Sequence, residues 1–264
     1  NTLNAVTDGE GLTDANIFIV CNGCTDGTEL VSQEYIASHT ARLAMRNVNI
    51  EVISIDLASK IAALNVGLKK AQDFPVILLD ADILISGTNI MHLIKFTQDN
   101  DLLAAAPKVR FDWRNSNLLA RWYYKISSTS SYNVNHRLSN VIALSKAGVM
   151  RIGTLPDVIA DDEYIRRAFK HHEYAINESI EFIFTCPRNL RNLLKVLTRV
   201  ERGNFQLAHK GIHDNTEANL SGPSNRSLPA YFVFVACKLF AKLKAKWQLN
   251  KGIVQQWERD ESNR

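Results

Sequence analysis

Residues 75–83 read PVILLDADI: Pro75, four apolar residues, Asp80, Ala81, Asp82 and Ile83. An unbroken apolar run of this length, with no polar alternation, is the pattern of a strand covered on both faces, as in a parallel sheet flanked by helices. The two aspartates fall where that strand ends. In open α/β sheets ligands bind at the carboxyl ends of strands. Two carboxylates one residue apart can serve one hard divalent cation, directly or through water. They also read as a solvated turn or as caps of the next helix, because so short a motif arises easily by accident.

The surrounding sequence repeats this alternation. Apolar, β-branched runs at 15–20, 49–56 and 102–109 read as further strands. Helical spacing separates them at 29–46, 59–71 and 89–98, where Ile61, Leu64 and Leu68 share one face. Strands alternating with helices predict a doubly wound α/β sheet. The pattern then changes. An aromatic-rich helix is predicted over 117–130, a strand and short helix over 140–153, and a strand over 174–187. A basic helix or loop follows at 189–203, a polar Gly/Ser/Asn loop at 210–229, and an amphipathic helical region at 230–257.

The chain has 264 residues, 46% of them hydrophobic, enough for one large α/β domain with an appendage. The net charge is +4, with no basic run dense enough for a nucleic-acid arm, so no nucleic-acid partner is expected. Four cysteines form no disulfide framework and suit a reducing cytosol. No N-terminal stretch reads as a secretory signal. The apolar run at 228–241 is interrupted by Lys238 and is too short to span a bilayer alone. The chain opens on NTLNAV, which reads like the end of a helix, and we expect a further segment before it.

Three other constellations carry chemistry. Asp161 and Asp162, in PDVIADDEY, stand at a predicted helix start, where acids favour the exposed amides. One of them could instead be a general base. Arg188, Arg191, Lys195, Arg199 and Arg202 recur near helical spacing. They form a solvated face, or they neutralise a diphosphate. Cys21 and Cys24 make a C-x-x-C at the end of a strand rather than at a helix start. Neither a second C-x-x-C nor a Cys/His pair exists to complete a zinc site.

In order along the chain, VCNGCTDGT, SKIAALNVGL, ILLDADI, PDVIADDEYIRRAF and RVERGN resemble glycosyltransferase family 2, inverting enzymes of the GT-A fold. The tail WERDESNR and the PDVIADDEY–RVERGN pair resemble a bacterial subgroup. The resemblance covers about residues 17–206. It implies a Rossmann-like, mostly parallel sheet flanked by helices, with a GT-A domain at 1–209 (donor half about 1–110, acceptor half about 111–209). A linker at 210–229 and a C-terminal amphipathic helical extension at 230–264 complete the chain.

It further implies a nucleotide-diphosphate sugar donor held by Asn22, Asp26, Lys60, Asn65, Asp80, Arg199 and Arg202. Mn²⁺ or Mg²⁺ would be held at Asp82 and Asp80, Asp82 more directly. Asp162 would be the base, supported by Asp161. Trp113, Trp122 and Tyr123 could stack on a glycan or lipid-linked acceptor, or pack in the core. Two departures stand out: Asn22 where relatives carry Asp, and no counterpart of the family's first strand. The mixed apolar and lysine stretch 230–251 suggests peripheral contact with the inner face of the plasma membrane, or a helix packed back on the domain. The competing readings are a non-catalytic GT-A-like binding module, a nucleotidyltransferase and a thiol redox protein.

Overall fold

A computed structural model of the chain describes residues 2–9, 11–214 and 227–252. The chain divides into two compact units, Asn1–Ala105 with Asn140–Asp157, and Ala106–Ser139 with Val158–Arg264.

The first unit begins with a short helix, α1 (Thr2–Thr7), and then alternates strand and helix as the sequence predicts. It runs through β1 (Ala15–Asn22), α2 (Thr28–Met45), β2 (Val48–Ile55), α3 (Lys60–Lys70), β3 (Val76–Leu79) and α4 (Gly87–Asp99) into the start of β4 (Ala104–Asp112). After the excursion into the second unit, which carries α5 (Leu118–Ser127), it resumes with β5 (Val141–Leu144) and α6 (Lys146–Ile152). Serines cap three of these helices. Ser59, Ser86 and Ser145 each accept a hydrogen bond from the amide three residues on, satisfying a donor the helix leaves open.

β1 and β2 pair in parallel, Ala15 opposite Val48 through Asn22 opposite Ile55. β5 pairs antiparallel with β3 (Val76 opposite Leu144) and with the start of β4 (Ala104 opposite Leu144). The sequence places a strand at the start of 140–153 but gives no sign that it runs between β3 and β4. Its position is explained by burial, since Val141–Leu144 is entirely buried and needs a strand on each side. β1 and β2 form a sheet of their own, and among the described residues no strand joins it to β3. The apolar residues of β3 are correspondingly only half-buried.

The second unit holds most of β4, α5, a π-helical turn at Tyr132–His136, α7 (Asp161–Arg167), β6 (Tyr174–Thr185), α8 (Leu190–His209) and α9 (Leu228–Asn250). Its core joins Ala120, Tyr123 and Tyr124 of α5 with Cys186, Leu193 of α8 and Cys237 of α9. α9 packs on α5 and α8 through small residues, Ala230, Cys237, Ala241 and Ala245, which let helices approach closely. The helix starts at Leu228, with Pro229 in its first turn where its missing N–H costs nothing. The remainder of the expected linker, residues 215–226, and the tail from 253 lie outside the described residues.

Candidate functional site

The PVILLDADI strand delivers Asp80 and Asp82 in different states. Asp80 is pinned. Its Oδ1 accepts a 2.8 Å ion-pair contact from Lys60 Nζ. Its Oδ2 accepts from Asn140 Nδ2 at 2.9 Å, and its own amide donates to the Asn140 carbonyl at 2.9 Å. Asn140 adopts a left-handed backbone with φ 65°, a conformation asparagine tolerates better than most side chains. Asp82, two residues on, is exposed. Lys60 is the first residue of α3, presented by the Ser59 cap. On the same helix Asn65 clamps the backbone of Leu155, donating to its carbonyl at 2.9 Å and accepting from its amide at 2.8 Å. Both ends of that amide are thus engaged within the unit, which makes Asn65 a brace for the 153–157 loop.

The turn after β1 has its own internal bonding. Asn22 ends the strand opposite Ile55, and the Gly23 amide donates to the Ile55 carbonyl at 2.8 Å. Gly23 has φ 60°, and a Cβ there would lie 2.8 Å from that of Ala58, so only glycine fits. Asp26 turns its carboxylate onto Thr28, accepting from the hydroxyl at 2.5 Å and the amide at 3.3 Å, beside the start of α2. The C-x-x-C holds two free thiols. Burial, and then the neighbouring Cys24, push the Cys21 thiol up to about 11. A reactive redox thiol needs the opposite shift.

In the second unit Asp161 and Asp162 open α7, half-buried, and Asp162 Oδ1 accepts from the Glu163 amide at 2.8 Å. The next residue, Glu163, is buried in a network the sequence reading missed. Arg166, 1% exposed, donates to Glu163 Oε1 at 2.7 Å and Oε2 at 2.9 Å, and to Asp214 at 2.6 Å. Arg167 adds a 2.8 Å bond to Glu163 and reaches Asn204 of α8 at 3.1 Å. Burial alone would raise the Glu163 carboxyl. The bonds and charge of Arg166, then Arg167, outweigh it and hold the group below its ordinary value. Tyr132 hydrogen-bonds Glu163 and stacks under Arg166; burial, then the Glu163 charge, push its hydroxyl well up. The spacing of Glu163, Arg166 and Arg167 on one helix was a visible signal; the Asp214 partner, far along the chain, was not.

α8 is tied to the start of α7. Gln206 accepts from the Ile159 amide at 2.8 Å, and a Cβ on Gly203 would lie 2.6 Å from that of Ala160. The RVERGN motif therefore lies against the residue preceding Asp161. Arg202 is buried there and Arg199 half-buried. Tyr123 takes the core-packing alternative. It is 3% exposed, with its ring against Tyr124 and Phe234, so it packs the core and offers no face to a sugar. Trp113 also packs against this core, and Trp122 is half-buried on α5.

The two units thus divide the expected residues. Asn22, Asp26, Lys60, Asn65, Asp80 and Asp82 belong to the first; Asp161, Asp162, Arg199, Arg202 and the three aromatics belong to the second. Among the described residues no group of three or more His, Cys, Asp or Glu side chains is placed to hold a metal by itself.

The fold is that of the GT-A glycosyltransferases. The chain is a member of glycosyl transferase family 2, whose model matches residues 1–151. It is similar in structure to the mannosyltransferase PcManGT from Pyrobaculum calidifontis in complex with GDP-Man and Mn²⁺. There the TM-score is 0.56 at 17% identity, covering 93% of this chain and 68% of that one. It is also similar to S. aureus TarS 1-349, with a TM-score of 0.50 at 12% identity, covering 99% and 71%. The same protein in complex with UDP gives 0.50 at 11%, covering 97% and 70%. No curated protein matches the chain.

Proposed function

We propose that the chain transfers a hexose-type sugar from a nucleoside-diphosphate sugar to an acceptor hydroxyl, with inversion at the anomeric carbon. The observation that carries this reading is the Asp-x-Asp itself: Asp80 is fixed from two sides while Asp82 is left exposed. One available carboxylate is too little for an all-protein metal cage. It suits Mg²⁺ or Mn²⁺, which take one or two carboxylates and complete their shell with water and substrate phosphate. Asp82 would hold the cation, with Asp80 as its positioning partner. When bound, such a cation supplies positive charge to the departing diphosphate. The Mn²⁺ and GDP-Man in the similar mannosyltransferase support that reading.

The protein's own residues do the rest. Asp162 takes the acceptor proton as the acceptor oxygen forms its bond to the anomeric carbon. The bond from that carbon to the diphosphate oxygen breaks, and the electron pair leaves with the diphosphate. Attack from the opposite face inverts the centre. Asp161 supports the base, and Arg199 and Arg202 add positive charge, a preorganised electrostatic effect of roughly several kcal/mol. Asn22 and Asp26 shape the turn beside the nucleotide, while Lys60 and Asn65 fix the walls. The acceptor is a glycan or lipid-linked glycan of envelope or extracellular polysaccharide synthesis. The protein works in the cytoplasm, in peripheral contact with the inner membrane face through 230–251. The 1–209 catalytic domain with its 230–264 extension remains part of this reading.

The test is a thermal-shift screen of nucleotide sugars with and without Mn²⁺, since a ligand bound only by the folded state raises its melting temperature. A Mn²⁺-dependent rise is expected, and Asp82→Ala should remove it. An unchanged shift in that variant defeats the metal assignment. The separation of β1–β2 from the β3–β5 strands favours a second reading, a non-catalytic GT-A-like module that binds a glycan or a partner protein. It predicts no donor hydrolysis or transfer with any nucleotide sugar.

A further inference from the structure

α9 faces two ways. Its inner side is small and packed against α5 and α8. Its outer side carries Leu228, Phe232, Val235, Leu239, Leu243 and Trp247, exposed by 43% to 81%. These recur at intervals of three and four, so they form one continuous stripe along the helix. The helix holds no acidic residue, and Lys238 and Lys242 border the stripe on one side. On the other side lies a groove of about 430 Å³ between α8 and α9. Leu190, Leu194 and Phe240 give it apolar walls; Arg191, Lys195 and Lys244 are its only charged lining residues among the described residues. Among the described residues these three cations form no ion pair.

An apolar stripe of this size on a folded surface marks a contact with something else. We propose that the α8–α9 face docks on an anionic lipid bilayer. The stripe enters the interface, and the groove takes one phosphate headgroup, with its first methylenes against Leu190, Leu194 and Phe240. The charge decides between occupants. Two copies joined through this face would bring one lysine border onto another, whereas a phosphate surface neutralises both. Crossing the bilayer is not required, and among the described residues no helix is long and apolar enough to do so. A helix with a wide apolar face and a cationic fringe lies in the interface plane instead. This inference deepens the peripheral contact in the proposed function by naming the face and its ligand chemistry.

The experiment is co-sedimentation of the full chain with vesicles of phosphatidylcholine alone, or mixed with phosphatidylglycerol. Binding to the anionic vesicles should be on the order of tenfold tighter and should weaken as salt rises. Phe232→Ser with Leu239→Ser, and separately Lys195→Glu with Lys244→Glu, should each lower that binding on the order of tenfold, with helix content and melting temperature unchanged. All four sites are exposed or half-exposed, so folding is preserved. Equal binding to both vesicle types, or full binding by both double variants, overturns the proposal. So does a melting shift with inorganic phosphate that Lys195→Glu/Lys244→Glu removes while vesicles are ignored; the groove is then a soluble-phosphate site. Self-association in sedimentation velocity without vesicle binding also overturns it, in favour of a second copy. The donor thermal shift is read in parallel. Donor binding without vesicle binding removes the docking and leaves the transferase reading standing. The converse removes the transferase reading alone.

Discussion

The acids at 80–82 and those at 161–163 lie in different units and are built on one plan. In each group one acid is locked into the fold and its neighbour is left accessible. Asp80 is held by Lys60 and Asn140, and Asp82 stands exposed. Glu163 is buried under Arg166 and Arg167, and Asp161 and Asp162 remain half-exposed at the helix start. The anchors differ in strength. Asp80 sits in a half-exposed pair that water screens, which makes it a locating device with little effect on stability. Glu163 joins a buried cluster whose members cannot be separated without leaving a charge in the interior. A locating pair therefore disturbs chemistry first when broken, whereas a buried cluster disturbs folding first.

The sharpest break in this comparison is at the acid the second unit leaves accessible. Asp162→Asn keeps shape and the Oδ1 that accepts from the Glu163 amide but removes the basic carboxylate. Loss of a positioned general base costs roughly 10²–10⁴ in rate. We expect sugar transfer to fall by that factor, with the donor thermal shift and melting temperature retained. Full transfer by the variant would remove the base from Asp162.

Arg166→Met attacks the buried anchor. Removing one partner of a buried ion pair costs about 3–5 kcal/mol, because the remaining charge stays in the interior. Denaturant titration should show a loss of that order. A Glu163→Gln/Arg166→Met double variant should recover only part of it, because Arg167 and Asp214 each still lose a partner; no recovery would mean that the stranded Glu163 charge was not the cause. The pH dependence has a definite sign. The Glu163 carboxyl is held below its ordinary value, so its contribution is present above the unfolded pKa of about 4.3 and is lost as pH falls through the folded one. His136 is also held down, by burial and then by His171 and Arg166, so its contribution fades earlier, as pH drops below about 6.5. Wild-type stability should therefore fall on the acid side in two stages. Arg166→Met removes the larger of the two groups that hold Glu163 down and leaves Arg167, so the carboxyl is held down less and the deficit against wild type should shrink as the solution becomes more acid.

Asn140→Gly probes the weaker anchor. Glycine keeps the left-handed backbone and the bond from the Asp80 amide, and removes only the side chain on Oδ2. Partners that orient a metal-site carboxylate contribute roughly 10–100-fold. The KM for donor should rise by that factor at unchanged kcat and with a small change in melting temperature. An unchanged KM would make the Asp80 geometry irrelevant to binding.

These two anchors were unequally legible in the sequence. The strand–helix alternation was plain because apolar spacing records burial directly, and helices α2, α3 and α4 fall within a few residues of expectation. Asp80 and Asp82 were legible because a strand end is a local feature. Asn140 was not, since its bonds to Asp80 cross 60 residues of chain and an asparagine before a strand reads as a turn. The place of β5 between β3 and β4 was hidden for the same reason: strand order is a non-local choice that four apolar residues do not encode. Tyr123 stayed between acceptor contact and core in the sequence because an aromatic on an amphipathic helix looks alike whether it faces a core or a ligand.

The smallest expected effect tests the turn after β1, where the two cysteines lie close but in opposite environments. Cys21 is buried and Cys24 exposed. With its thiol pushed up to about 11, Cys21 stays protonated near neutral pH and reacts slowly. Iodoacetamide near pH 8 should therefore label Cys24 before Cys21, read by peptide mass spectrometry. Cys24→Ser should leave melting temperature and donor binding within about 0.5 kcal/mol of wild type, as for most exposed substitutions. Cys21→Ser buries a hydroxyl and should cost about 1–3 kcal/mol if that group finds no partner. If Cys21 were labelled first, or if Cys24→Ser abolished donor binding, the thiols would be working parts of the turn. The expected order leaves that role to Asn22, Gly23 and Asp26, whose amide, left-handed backbone and Thr28-bound carboxylate shape the loop.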